Sequence, residues 1–240
     1  MPPANKNRTM QKYLYKAHAV ALRGSIRKPY YQEIGNHLEI ATYAGSAGQT
    51  KSTSKGFRLG EDIAYDSATT EIVAERVDNN IYQSTVTAQV KGLRVGKRLA
   101  VDSVTCRLRS VFDGRFYPER SISRILPAGS SIRNLRIDGK VQQLQLPAAF
   151  TLDEKSQDAF FRGERDDDPA YHPGRIADPI YVKDLGTVFF GEWVWVHPGE
   201  RHRQHLGMLR LALGSEDGAE IDVGIGDNDG SGWPPLFGEN

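Results

Sequence analysis

The sequence predicts an all-β fold: an antiparallel β-sandwich or barrel with one short helix near 152–162. Three observations predict it. Apolar residues recur with a period of two, Gly-rich breaks separate the runs at short spacing, and only one segment carries a helix signature. The chain has 240 residues, 39% of them hydrophobic and 25% charged, the composition of a folded domain with enough length for a substantial core.

Tyr13 to Leu22 opens the series. Tyr13, Tyr15, Ala17, Ala19 and Ala21 share one face, and Lys12, Lys16 and His18 the other, which reads as a half-buried strand. Thr85–Val90 alternates in the same way. So does Val104–Ser110, with Val104, Cys106 and Leu108 inward. Between Asn134 and Leu146, Asp138-Gly139 separates two strand-like runs, a pair that favours a two-residue hairpin turn with positive φ. Thr151 with Glu154 three residues later forms a capping box, and Leu152, Ala159 and Phe160 could face inward before Gly163. In Gly186–Val196 both alternate sets are apolar, which predicts a central strand covered on both faces. Met208–Leu213 and Ala219–Ile225 supply the last strands.

The polar, Pro- and Gly-rich stretch 164–174 reads as a loop or linker. It separates a β-rich region at 11–150 from a second at 175–233, and the two regions are of a size to share one core. Thirty-one Lys and Arg nearly cancel 30 Asp and Glu, but unevenly. Residues 1–32 hold seven basic side chains and no acid, residues 91–136 hold eleven against three, and residues 214–240 hold seven acids and no base. The pattern fits solvated strand faces, and it also fits a basic face meeting the acidic segment, within one molecule or head to tail between copies. Nucleic acid is disfavoured: Phe112, Phe116 and Tyr117 lie among arginines, yet no helix-turn-helix or ribonucleoprotein motif accompanies them. No run reaches the roughly 18 apolar residues of a membrane span.

Cys106 is the single cysteine, which excludes an intrachain disulfide and a multi-Cys zinc site. No Gly-x-Ser-x-Gly elbow offers a nucleophile. His197, His202 and His205, with Glu200, are competent ligands for a divalent transition metal, the alternative to having no cofactor. Gly191-Glu192, then Pro198-Gly199, then His202 resembles the second metal motif of cupins. The resemblance implies a ligand role for His202 and two barrel strands over 186–213. The earlier His-x-His motif of cupins does not occur here. Asp227 and Asp229, in Asp227-Asn-Asp-Gly-Ser-Gly232, are calcium candidates in what reads as a tight acidic turn, and Ile225 stands where a standard loop needs its first Asp. Asp166–Asp168 with His172 reads as solvated loop, with a weak cation site as the alternative. Trp233 is the candidate for stacking on a carbohydrate, since Trp193 and Trp195 fall on an expected core strand.

Ser84–Leu93, Leu99–Cys106 and Gly129–Gly139 together resemble the β-rich bacterial proteins called choice-of-anchor domains. That resemblance implies a surface-associated β-sandwich of structural or binding type, with no site residue. The expectation is therefore a non-enzymatic structural or binding protein, associating with itself or another protein through complementary charged surfaces; the alternative is a cupin-like metal-binding protein or metalloenzyme. The polar start Met1–Thr9 has no apolar signal region, which makes cytoplasm the default location and the cell surface the location if the chain is a mature form.

Overall fold

The computed structural model describes residues 14–26, 31–44, 46–113, 124–162, 174–175, 177–195, 203–213 and 221–233. They form two antiparallel sheets facing one another, neither of which closes into a barrel. The first sheet runs β12 (Gly174–Arg175), β14 (Gly186–Trp195), β15 (Arg203–Leu213), β16 (Ile221–Trp233), β1 (Leu14–Ile26) and β2 (Gln32–His37). In addition, β13 (Ile180–Val182) pairs with β14, and β3 (Ile40–Ala44) with β1. The second sheet runs β11 (Lys140–Val141), β10 (Arg136–Ile137), β7 (Leu99–Asp113), β6 (Ile81–Val95), β5 (Ile63–Asp78) and β4 (Gly48–Leu59). The short β8 (Arg124–Leu126) and β9 (Ser131–Arg133) also add to β7. Across the interface β16 lies over β6 and β7, β1 over β5 and β6, and β15 over β7.

The alternation read in the sequence is the alternation of burial. Val104, Cys106 and Leu108 on β7 face Leu206, Met208 and their neighbours, in one contiguous core to which residues on both sides of 164–174 contribute. The Cys106 thiol donates to the Leu206 carbonyl across the two sheets at 3.3 Å, which makes it an interior packing group. Phe150 meets Trp193 edge to face at 6.0 Å. A satellite cluster of Tyr15, Ala74 and Phe112, with Tyr82 against it, closes one end of the sandwich.

Two turn signals resolve differently. Asp138 and Gly139 take φ of 50° and 74°, so β10 and β11 are joined by the tight turn their dipeptide demands. The helix α1 (Glu154–Phe161) is present with Phe160 buried, but its N-cap is Asp153, whose carboxylate accepts from the Ser156 amide at 2.8 Å. Thr151 instead ends a 3-10 turn at Ala148–Phe150 and its hydroxyl donates to the Ala148 carbonyl, so the expected capping box gives way to an Asp cap two residues further along the chain.

The strand 186–196 was expected to be covered on both faces. β14 is interior to its sheet, yet Glu192 is exposed and Val194 is 42% exposed, so the outer face is open over its second half. The cause is a crease. In β14 the buried set changes from Val188 and Phe190 to Gly191 and Trp193, and in β15 from Leu206 and Met208 to Leu209, Leu211 and Leu213. In β1 it changes from Tyr15, Ala17 and Ala19 to Val20, Leu22 and Ile26. Each change falls where the pairing skips one row, Gly191–Met208–Gly226–Ala21, without a shift of register. Gly191 has φ of 36°, a left-handed conformation that a side chain would resist, and it lets the strand turn its faces over.

Candidate functional site

The strand pairing of the first sheet brings chemistry-bearing residues together that are distant in the sequence. On β1, Ala17 and Ala19 face the core, so the intervening His18 belongs to the outer face and is half-buried there. His18 pairs with Asp229 of β16, and Asp229 pairs on its other side with His205 of β15. His205 in turn pairs with Val194 of β14. Directly paired residues of an antiparallel ladder lie on one face, about 4.5–5.5 Å apart at Cα. One row therefore reads Val194, His205, Asp229, His18. The next reads Glu192, Gly207, Asp227, Val20. His18 Nε2 meets Glu39 Oε1 at 2.5 Å, which ties the row to the segment between β2 and β3.

The sequence-predicted candidates divide accordingly. His205 is on β15 and half-buried. His197, Glu200 and His202 lie outside the described residues, as do Pro198 and Gly199 of the cupin-like motif and the segment Asp166–Asp168 with His172. Gly191 and Glu192, the remainder of that motif, lie on β14, which is the antiparallel partner of β15 in an open sheet. Asp227 and Asp229 do not stand in a tight turn: β16 runs extended from Ile221 to Trp233 with a strand bonded on each side. Two ladders of hydrogen bonds outweigh the turn preference of Asn228-Asp229-Gly230. Trp233 ends that strand, paired with Leu14. Among the described residues no three His, Cys, Asp or Glu side chains are arranged to hold a metal ion.

A second polar cluster joins the two sheets. His37 Nε2 and the Tyr65 hydroxyl are 2.6 Å apart, Phe57 stacks on Tyr65 at 5.4 Å, and the His37 ring is 4.7 Å from Phe57. Burial pushes the Tyr65 phenol above its ordinary value, partly offset by a hydrogen bond with the Ser54 hydroxyl, and holds the His37 imidazole below its own. The cluster pins β2 against β4 and β5.

Much of the basic excess of 91–136 is committed within the molecule. Arg98 grips both oxygens of Asp138 at 2.6 Å and donates to the Lys183 carbonyl. Arg136 and Asn134 share Asp102, and hydrogen bonds from Asn134 and then Arg136 hold that carboxyl below its usual range. Arg94 pairs with Asp66, Arg109 bonds Gln83 and lies over the Phe161 ring, and Arg124 donates to the Phe161 carbonyl. The edge strand β4 differs. Its Lys55 and Arg58 are exposed, and among the described residues only Lys51 of its basic side chains meets a carboxylate, Glu71, which it shares with Gln49.

Sheet order, register and core together define an antiparallel β-sandwich. Within that class the chain belongs to the family described as Domain of unknown function (DUF8256), whose sequence profile matches residues 13–178. No curated protein and no solved structure matches the chain. The matched residues include β1 and the whole of the second sheet, while β13 to β16 lie beyond them.

Proposed function

We propose that this chain is a non-catalytic binding and assembly protein that associates head to tail with further copies through the edge strand β4. The observation that carries the reading is β4 itself, twelve residues with a ladder partner, among the described residues, only on the β5 side. Such an edge offers a row of backbone donors and acceptors to an added strand. Its basic side chains decide the partner. Two β4 strands paired with one another would bring Lys and Arg together, so the edge disfavours a symmetric dimer and favours an acidic segment. The C-terminal region supplies acids, with Asp222, Asp227 and Asp229 on β16 and Glu216, Asp217, Glu220 and Glu239 outside the described residues. The resemblance of residues 84–139 to choice-of-anchor domains supports the same reading.

Light scattering across a concentration series tests it. Mass should rise with concentration at low salt and fall back as salt shortens the screening length from about 30 Å at 0.01 M to about 3 Å at 1 M. The Lys55→Glu, Arg58→Glu double variant should remain monomeric where the parent associates. A monomer throughout, or association unaffected by reversing those charges, would refute β4-mediated assembly. Capture of a distinct acidic protein by a monomeric chain would replace self-assembly with partner binding.

A further inference from the structure

We propose that the outer face of the second sheet binds an extended acidic polysaccharide, a polyuronate, laid across the strands over a row of cations. Register sets the row. Lys55 of β4 pairs with Ser67 of β5, Ser67 with Lys91 of β6, Lys91 with Ser103 of β7, and Ser103 with Arg133 of β9. The chain neighbours Ala68, Val90 and Val104 are buried, so the row points away from the core, and Lys55, Lys91 and Arg133 are exposed. Cations thus stand on every second strand with a seryl hydroxyl between them. Strands lie about 4.8 Å apart, so the attachment points of successive charges are about 9.6 Å apart along a line of about 19 Å.

These cations are not consumed within the molecule. Asp66 and Asp102 precede Ser67 and Ser103 in the chain, and Glu71 lies two rows along the same face. Each is engaged by another group: Asp66 by Arg94 at 2.6 Å, Asp102 by Arg136 and Asn134 at 2.9 and 2.7 Å, and Glu71 by Gln49 and Lys51. Among the described residues Lys55, Lys91 and Arg133 meet no carboxylate. The next row on the face is Thr53, Thr69, Gln89, Thr105 and Ser131, uncharged throughout, with the Gln89 amide donating to the Thr105 hydroxyl at 3.0 Å. Hydroxyl and amide groups both donate and accept, which matches the hydroxyls a sugar chain presents beside its acid groups.

Charge spacing selects the occupant. In an extended 1,4-linked polyuronate each sugar advances the chain by about one strand spacing and successive sugars turn over. The carboxylates of every second sugar therefore face one side at the spacing of the row, and the row spans about five sugars. Duplex DNA carries one charge per about 1.7 Å of its axis, far denser than these cations. Single-stranded nucleic acid needs aromatic platforms for its bases, and no residue of either row is aromatic. The face does not depend on assembly through β4: Lys55 is common to both, but Lys91 and Arg133 lie on β6 and β9, away from that edge.

The full chain is titrated into an end-labelled mannuronate oligomer and binding is read by fluorescence anisotropy. Saturable binding is expected at 0.01 M salt, weakening as the screening length falls from about 30 Å to about 8 Å at 0.15 M. Lys91→Gln and Arg133→Gln should each weaken it by about 2–5-fold, the range of single exposed ion pairs, and the two effects should multiply in the double variant. Lys91→Arg should bind as the parent does, and so should Lys140→Gln, which lies beyond the row on β11. The Lys91→Glu, Arg133→Glu variant, with the circular dichroism and melting temperature of the parent, should show no binding where the parent saturates. Absence of binding by the parent at 0.01 M salt would overturn the proposal, as would binding retained by the folded charge-reversed variant. Equal affinity for a neutral glucose oligomer would reject the cation row. Tighter binding of duplex DNA, lost in the same variants, would assign the face to nucleic acid and reject the polysaccharide. Loss of sugar binding with association intact, or the reverse, separates this proposal from β4-mediated assembly.

Discussion

Thr70 offers a direct test of how the two sheets meet. It lies on β5, paired with Ala88 of β6, which pairs in turn with Cys106 of β7; all three are fully buried. Its hydroxyl oxygen has no hydrogen-bond partner among the described residues, and neither have Ser84 and Ser110 in the parallel row with Ala74. Burying an unpaired hydroxyl costs about 1–3 kcal/mol. Thr70→Val replaces that hydroxyl with a methyl group of nearly the same volume, removing the penalty and adding apolar burial worth about 0.8 kcal/mol. β-branching is preserved, so strand propensity is unchanged.

The variant should be more stable by about 2 kcal/mol, the lower end of the summed range because the unfolded chain is itself partly collapsed. Urea unfolding should show a higher midpoint with the same slope, and the melting temperature should rise by roughly 2–4 °C per kcal/mol for a chain of this size. Ser84→Ala should gain less, because it leaves a small void where the hydroxyl was. A Thr70→Val chain no more stable than the parent, or less stable, would show that the hydroxyl has a partner in the folded protein. The picture of small, unpaired polar groups packed between the sheets would then be wrong.

Two more outcomes follow from the same interior. Burial depresses the His37 imidazole, so as pH falls the unfolded chain takes up its proton before the folded one does. Stability should therefore be fully present above the ordinary imidazole value near 6.5 and decline as pH falls from there through the lower folded value; His37→Gln should flatten that part of the stability–pH curve measured by urea midpoints, and an unchanged curve would remove His37 as its cause. Gly92 has φ of 65° and a Cβ there would sit 1.9 Å from Asp66 Oδ2 and 3.0 Å from its Cβ. Gly92→Ala should cost at least about 1–2 kcal/mol for the left-handed backbone and displace Asp66 from Arg94, which thermal melting would register; an unaffected melting temperature would mean that the backbone there relaxes.

Local grammar was legible and long-range pairing was not. The inward sets Tyr15/Ala17/Ala19 and Val104/Cys106/Leu108 follow from a period of two, and the Asp138-Gly139 turn from the demand for positive φ, because each depends on neighbours within a few residues. The helix was placed but its cap was misread, since Thr151 and Asp153 both precede a good helix former and only the 3-10 turn at Ala148–Phe150 decides between them. The Asp227–Gly232 segment misled for the opposite reason. Its composition favours a turn, and only its position between β15 and β1, one of them about 200 residues away in sequence, holds it extended.

The ladder row that joins β1, β16 and β15 shows why the outer face was only half visible. His205 and Asp229 each stood out by local composition, but under different chemistries, and His18 stood out only as a polar position on an amphipathic strand. What unites them is the pairing of the first long strand with the last, a contact for which no local pattern codes. The crease adds a second condition. The three residues all lie on the same side of the row Gly191–Met208–Gly226–Ala21, where the buried parity of β1 is odd and that of β15 even. On the far side of the crease the parities exchange, and the same alternation would have turned residues at these positions inward. The outward placement of His18 and His205 thus depends on where Gly191 and its row interrupt the sheet, and a reading by period alone, continued from Leu209–Leu213 back through β15, would have buried His205 in the core.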